Sequence, residues 1–558
     1  MQFDDFYQTI GVFGQYQKIK YFLICLTYMF PPIMVYTWSF TAAIPSFRCR
    51  TPMDDISGIL LTDEILQRYK PSESQCGQFQ SKISLAECQR CFQLTNESDY
   101  DDTRMKPCTN FIFDRTYYQS TLVEEWYMVC NRVSLKSFVQ IVFFFGYMVG
   151  SLVFGILSDK FGRRPIMGAS FVVITIASFM CAFAPHPKLG FEISYAFFVL
   201  GRFLLACATR GVALTGFVIG AEIVGPKQRL FTGIVIEYFF AGGELILLGF
   251  AYLIRSWRLL NTALAILSIP FLFFYLILRR IAKTNGCFFD SMAYDHLINE
   301  EKKREALYPK KLHGLKTLLQ SRTMIIIAIN MSFQWFVQNL VFYGVSQNTG
   351  TWLSNPYIAF FAGALVEIAA YCVVHLVLNR WGRKLPYSAF VFLFGVFAFF
   401  VVPIQMLMPK DSREQYILMF IINVVLKFLA SGSYAIIYIY ANELFPTQCR
   451  NTGMGICSMV ARFGAIIGTL SNDLLARAWV HFPIVVFGTT SLIAVAFATI
   501  CPETMNKPLP QTVHDIDQMG LTWPCRKSKT LACDEMNGTT DSDEHMSLKN
   551  PLKENDIL

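Results

Sequence analysis

Twelve stretches of this chain stay apolar for about 20 residues at a time, the length a helix needs to cross a bilayer core. They fall near 21–43, 137–157, 166–185, 194–219, 231–253, 258–278, 323–345, 356–379, 386–408, 415–440, 452–475 and 482–501. No water reaches a backbone group inside the bilayer core, so such spans must be helices. The expected fold is an all-α membrane protein with twelve transmembrane helices. The first run starts late, carries no small-residue cleavage site and is long enough to remain as an anchor, so no cleavable signal peptide is expected. With 54% hydrophobic and 16% charged residues, a chain of 558 residues is too apolar to be soluble.

Orientation follows from Lys and Arg in the short loops, which stay on the cytosolic side. One set of loops holds Lys160, Arg163, Arg164, Lys227, Arg229, Arg380, Arg383, Lys384 and Arg450. The opposite set is poorer: "QNTGTWLSN" has none and "PHPKLG" has one, with Arg255 and Arg258 as exceptions. Both termini are therefore expected in the cytosol. The net charge of +8 reflects this bias rather than binding to nucleic acid.

The loop 44–136 is then extracellular. Its six cysteines, Cys49, Cys76, Cys88, Cys91, Cys108 and Cys130, suggest three disulfides in an oxidising compartment, with the pairing left open. Cys88 and Cys91 form a C-x-x-C, but that side of the membrane argues against zinc or redox work. Asn96 opens a glycosylation acceptor on the correct side. The acceptor pattern at Asn537 lies in the cytosolic tail and should be silent.

The chain also repeats itself. "LSDKFGRRP" (157–165) and "LNRWGRKLP" (378–386) place Gly162 and Gly382 220 residues apart. "EIVGPKQR" runs from Glu222 to Arg229 and "ELFPTQCR" from Glu443 to Arg450, at an offset of 221. Two unrelated patterns sharing one offset argue for duplication: six helices, a linker, six helices. Parallel repeats of this type mark transporter folds whose substrate site lies between the halves, near the bilayer midplane. The expected divisions are a cytosolic N-terminus (1–20), a first half (21–278), a charged cytosolic linker (279–322), a second half (323–501) and a polar cytosolic tail (502–558). Gly at 162 and 382 lets the chain turn tightly. Asp159, Arg163, Glu222 and Arg229 can then cluster at the cytosolic helix ends of one half, and Arg383, Glu443 and Arg450 at those of the other. Such clusters would act as gates. Asn379 stands where the first copy has Asp159, which weakens the second.

These residues resemble the major facilitator superfamily and, within it, the organic cation, anion and zwitterion transporters of solute carrier family 22. "IGVFGQYQ" (10–17), "STLVEEWYMVCNR" (120–132), "GSLVFGILSDKFGRRP" (150–165), "FAYLIRSWRLL" (250–260), "YANELFPTQCRNTGMG" (440–455) and "PETMNKPLPQT" (502–512) match its signatures. The resemblance implies the major facilitator fold in two six-helix halves. One feature departs from it: the Pro-Glu-Ser-Pro-Arg-Trp-Leu motif that follows the sixth span in that family is absent, and "FFYLIL" runs directly into "RRIAKTNG" (279–286).

An ionisable residue inside a span costs on the order of 2.5–3.5 kcal/mol to insert, so each one is a functional candidate. Glu237 and Glu244 lie seven apart on the fifth span, Glu367 on the eighth, Lys427 on the tenth and Arg462 on the eleventh. The resemblance makes Glu367 a substrate-facing acid. It also makes Arg462 the discriminator, because cation carriers have Asp there whereas anion and carnitine-type carriers have Arg. Ala213 stands where cation carriers place a Trp. Trp335, Phe342 and Tyr343 match positions that line the cavity in that family. An arginine fork suits a carboxylate, and acids with aromatic faces suit an ammonium. The expected function is alternating-access transport of organic cations or carnitine-like zwitterions across the plasma membrane. An organic anion exchanger and a transporter-like protein without transport are the alternatives. The partners are then a small organic ion and the lipid bilayer, with sodium or a proton left open as coupling ion. No P-loop, catalytic constellation or metal-ligand spacing is present, so neither cofactor nor metal is expected, and the chain is not read as an enzyme.

Overall fold

The computed structural model describes residues 15–51, 54, 71, 76, 85–95, 104–161, 163–186, 190–223, 229–284, 318–347, 349, 352–409, 412–446, 449–472, 479–505, 507, 510 and 513–521. Asn96, Gly162, most of the linker and the tail beyond 521 lie outside the described residues, as do the side chains of Asp159, Arg163, Glu222 and Arg229.

The apolar runs are helices. In order they are Gln15–Tyr28 with Phe30–Thr41 (span one), Val133–Phe161, Arg163–Ala182, Phe191–Ile223, Arg229–Leu253, Trp257–Thr284, Arg322–Gln347, Pro356–Trp381, Lys384–Leu407, Arg413–Leu444, Arg450–Leu470 and Phe482–Ala498 (span twelve). Among the described residues, ten spans are long and apolar enough to cross a membrane. The apolar parts of spans six and twelve, Trp257–Phe271 and Phe482–Ala498, are shorter. The chain is thus a multi-pass membrane protein.

Span one is broken at Met29, just ahead of Pro31 and Pro32. Prolines in a first helical turn have no N–H to donate to the turn before, so the ladder stops there. Span five packs on this break through Gly243, where a Cβ would stand 2.3 Å from the Met29 carbonyl oxygen. That close approach fixes the height of its neighbour, Glu244.

The packing repeats as the sequence does. Span two lies on span four, and span eight lies on span ten. Span three lies on span six, and span nine on span twelve. The halves meet along two seams, span five against span eight and span two against span eleven. Shifting six spans turns one seam into the other, which is the duplication expressed in three dimensions. In the second half, Gly464 and Gly468 let span eleven lie on span seven, where Cβ atoms would come within 2.1 Å and 2.3 Å of the Phe336 and Leu340 carbonyl oxygens.

The loop after span one carries two small antiparallel sheets. β1 (Phe47–Cys49) pairs with β4 (Phe111–Phe113), and β2 (Phe92–Thr95) pairs with β3 (Arg104–Pro107). Its six cysteines form three disulfides: Cys49–Cys108, Cys76–Cys88 and Cys91–Cys130. Cys88 and Cys91 therefore bond to different partners. Cys130 opens the approach to span two, so this last bridge ties the loop to the bundle.

Candidate functional site

Four of the intramembrane charges lie deep between the halves. Glu244 is 2% exposed, Glu367 0%, Lys427 2% and Arg462 1%. Lys427 of span ten forms an ion pair with Glu367 of span eight and donates to the Ser346 hydroxyl of span seven. Its ammonium also faces the rings of Phe342 at 4.9 Å and Tyr36 at 5.8 Å. Glu367 accepts a further bond from the Tyr371 hydroxyl at 3.4 Å. From the opposite half, Glu244 is buried with Glu367 and Lys427 as electrostatic neighbours. Glu237, two turns away on span five, is buried with Tyr28 and Glu367 as electrostatic neighbours.

Arg462 points at the other seam. Its guanidinium stacks on Tyr147 of span two at 5.0 Å and has Tyr343 of span seven as an electrostatic neighbour. Its Nε and Nη1 groups have no hydrogen-bond partner in the protein. The aromatic residues selected from the sequence pack with the tyrosines near Arg462 and with the first half. Trp335 lies 4.3 Å from Tyr438, Phe342 stacks on Tyr434 at 4.3 Å, and Tyr343 meets Phe144 of the first half at 5.0 Å.

Two further cations, the buried Arg202 and the half-buried Arg210, belong to this region and were not selected from the sequence. Arg202 lies between Phe143 at 4.3 Å and Trp38 at 5.0 Å, with Nε and Nη2 unpaired. Arg210 crosses between the halves and donates to Ser458 of span eleven at 3.0 Å. Both sit inside the fourth apolar run, and the rule that singled out Glu237 also singles them out.

At the loop end of the bundle, aromatic side chains close the seam. Tyr357, in the first turn of span eight, stacks on Phe40 at 5.9 Å and meets Tyr252 edge-on at 5.6 Å. Its hydroxyl donates to the Tyr117 carbonyl at 2.9 Å, so the disulfide-bonded loop reaches the second half. Nearby, Arg258 binds Glu125 through two bonds of 2.6 Å and 3.1 Å, and the Trp257 indole donates to the same carboxylate at 2.9 Å. Burial pushes the Glu125 carboxyl up, but Arg258, Trp257 and His186 together hold it below its ordinary value.

At the opposite end, Arg383 grips Glu443 with its Nε 3.0 Å from one carboxylate oxygen and its Nη2 3.1 Å from the other. Glu503 accepts the backbone N–H groups of Arg383, Lys384, Thr504 and Met505, and Thr504 donates to Glu443 at 2.6 Å. Arg450 turns to the Phe445 carbonyl at 3.1 Å. Arg383 and Glu443 thus meet as the sequence suggested, within the second half. Glu503 and Thr504, from the "PETMNKPLPQT" stretch, were the missing members.

A family model described as the Major Facilitator Superfamily matches residues 131–469. The chain is 30% identical to "Organic cation transporter protein" of Drosophila melanogaster, over 93% of its own length and 95% of the relative's. It is 27% identical to "Solute carrier family 22 member 16" of Homo sapiens, with 95% of each covered.

The chain belongs to solute carrier family 22 of the major facilitator superfamily.

Solved structures agree on the fold. The xylose transporter XylE from E. coli, in a partially occluded inward-open conformation, superimposes with a TM-score of 0.56 at 13% identity, covering 88% of this chain and all of that one. A proton:xylose symporter bound to 6-bromo-6-deoxy-D-glucose gives 0.57 at 14% identity, covering 89% and 98%. In this solute carrier family 22 protein the signature stretches gather at two places. Those of 120–132 and 250–260 meet at the Glu125–Arg258 pair, and those of 440–455 and 502–512 meet at the Glu443–Thr504 contact.

Proposed function

We propose that this chain is a plasma-membrane carrier rather than an enzyme, with both termini in the cytosol, and that it moves organic cations or carnitine-like zwitterions by alternating access. The observation that carries the reading is Arg462: a buried guanidinium with two unpaired N–H groups, on the same interface as the acids Glu237 and Glu367. An unpaired buried donor costs about 1–3 kcal/mol, a cost that a substrate carboxylate would remove. Glu237 or Glu367 then faces the substrate's ammonium, with Lys427 pairing Glu367 until it arrives. Trp335, Phe342 and Tyr343 supply aromatic faces. The terminal-end residues around Gly162 and Gly382 (Asp159, Arg163, Glu222 and Arg229; Arg383, Glu443 and Arg450) set the balance between inward-open and outward-open states. Asn96 carries a glycan outside the cell.

The test is uptake by cells expressing the protein, against carnitine, tetraethylammonium and a dicarboxylate, with and without sodium. Carnitine or tetraethylammonium should enter. Arg462→Asp should reduce carnitine entry and raise that of tetraethylammonium. Exclusive uptake of the dicarboxylate would favour an organic anion exchanger, a second reading supported by the unpaired Arg202. No uptake despite surface expression would favour a protein without transport.

A further inference from the structure

Arg202 is a charge without a counter-charge. Its side chain is 2% exposed, and its Nε and Nη2 have no hydrogen-bond partner. Its electrostatic neighbours are Cys181 of span three and Tyr147 of span two, a thiol and a phenol rather than a carboxylate. Buried charges are ordinarily paired, because leaving water without a partner costs more than packing returns. The guanidinium packs on two rings, 4.3 Å from the centre of Phe143 and 5.0 Å from that of Trp38. Such contacts cover the face of the planar group. They leave its N–H groups, which lie in the plane, to be satisfied edge-on. Gln140 stands one turn before Phe143 on the same side of span two. It is 3% exposed, and neither its Nε2 nor its Oε1 has a partner. Gly201 fixes the depth of Arg202, since a Cβ there would lie 3.0 Å from the Cys181 Sγ. Two helices therefore each bring a buried donor, with no acceptor to meet it, to the surroundings of one phenyl ring.

We propose that Arg202 and Gln140 hold a small monovalent inorganic anion, a halide such as chloride, inside the first half. One guanidinium without a carboxylate calls for one negative charge. The surroundings select its kind. Phe143 and Trp38 offer apolar rings with positive edges, which suit a weakly hydrated halide better than a multivalent oxyanion that would have to shed a tightly held water shell. The side chains around Arg202 come from span one (Trp38), span two (Gln140, Phe143 and Tyr147) and span three (Cys181). All of them belong to the first half, as does Arg202 on span four. The site does not straddle the seam, so it stays assembled while one half rocks against the other. The anion is therefore a resident of that half rather than cargo, and the inference does not depend on what Arg462 holds. Because the anion binds only the folded arrangement, its occupancy is linked to the stability of the protein.

The experiment measures thermal unfolding of the purified full-length protein while chloride replaces gluconate at constant ionic strength. The wild type should gain about 2 °C or more, saturating as chloride rises, and bromide should act in the same way. Arg202→Met should abolish the gain, and Gln140→Leu should shift its midpoint to higher chloride or abolish it. Arg462→Ala, which removes the other unpaired guanidinium, should leave the gain in place. Equal unfolding temperatures in chloride and gluconate would overturn the proposal. So would a gain that survives Arg202→Met but is lost in Arg462→Ala, because the anion would then belong to the seam. A gain produced by acetate and not by chloride would assign the site to carboxylates and overturn it as well. If Arg202→Met does not fold, Gln140→Leu decides alone, and a chloride response it leaves unchanged overturns the site.

Discussion

Two of the places where a carboxylate meets a cation across different segments are built in opposite ways. At the loop end, Glu125 is saturated: Arg258 and Trp257 occupy both oxygens, and Arg258 spends its remaining donors on the Ala182 and Ala184 carbonyls at 3.2 Å and 2.6 Å. At the midplane, Glu244, Arg202 and Arg462 all keep polar atoms without partners. The saturated cluster holds one arrangement, because every alternative breaks several bonds at once. The unsaturated one leaves positions that a ligand or proton can fill, at a standing cost to the empty protein. The two clusters should therefore respond differently to mutation, and that difference can be measured.

The largest effect is expected where a single change strands a buried charge. Lys427→Met removes the cation that pairs with Glu367 and should lower stability by about 3–5 kcal/mol. The double variant Lys427→Met/Glu367→Gln should recover most of that loss, because no buried charge remains unpaired. Thermal unfolding of the purified protein reads both. Equal losses in the single and double variants would mean that packing, and not charge, holds this region.

The same logic at the loop end predicts a smaller loss, since water reaches Glu125, whose side chain is 17% exposed. Arg258→Ala should cost about 2–3 kcal/mol, counting the carbonyls left without a donor. Arg258→Lys should regain less than half, because an ammonium cannot make the paired bonds of a planar fork. Full recovery with Lys would show that only the charge matters there.

This pair also shows what was legible in the sequence. Arg258 broke the rule that Lys and Arg favour the cytosolic loops, and its reason lies 133 residues earlier, at Glu125. The spans were legible because apolarity is local and repeated. The offset between motifs made the two halves legible. Glu237, Glu367, Lys427 and Arg462 stood out because charge is rare inside a span. Their partners did not: Tyr147, Ser346 and Tyr36 come from three other helices, and ordinary polar or aromatic residues in a membrane helix carry no mark. The cysteine pairing was equally closed to inspection, since composition cannot rank fifteen connectivities. Glu503 was hidden for a different reason. Its ligands are backbone N–H groups, which every residue but proline has.

Glu503 leads to the third expected effect. Gly382 ends span eight at φ +83°, and a Cβ there would stand 2.7 Å from the Glu503 carboxylate. Gly382→Ala should cost about 1–3 kcal/mol through strain and displacement of that carboxylate. Asn, the usual second choice at left-handed positions, should do no better, because ψ is −162° and lies outside the αL region. A Gly382→Asn variant as stable as the wild type would show that the turn relaxes freely, and the terminal-end cluster would then be looser than its bond lengths suggest.

The smallest effect is a pH dependence that belongs to the saturated cluster. Glu125 titrates below the usual glutamate value of 4.5, since its bonds to Arg258 and Trp257 favour the ionised form and outweigh the opposing effect of burial. A group whose folded value is depressed contributes stability above its unfolded value, and that contribution fades as pH falls toward the folded one. The advantage of the wild type over Glu125→Gln should therefore be constant at neutral pH, begin to shrink below about pH 4.5 and vanish further down. Unfolding temperatures of the two proteins, taken as a difference at each pH, isolate this one carboxyl from Asp54, which is also held low, by Arg48. A difference that does not change with pH would mean that Glu125 is held by shape, and the contrast between a saturated staple and an unsaturated site would lose its electrostatic basis.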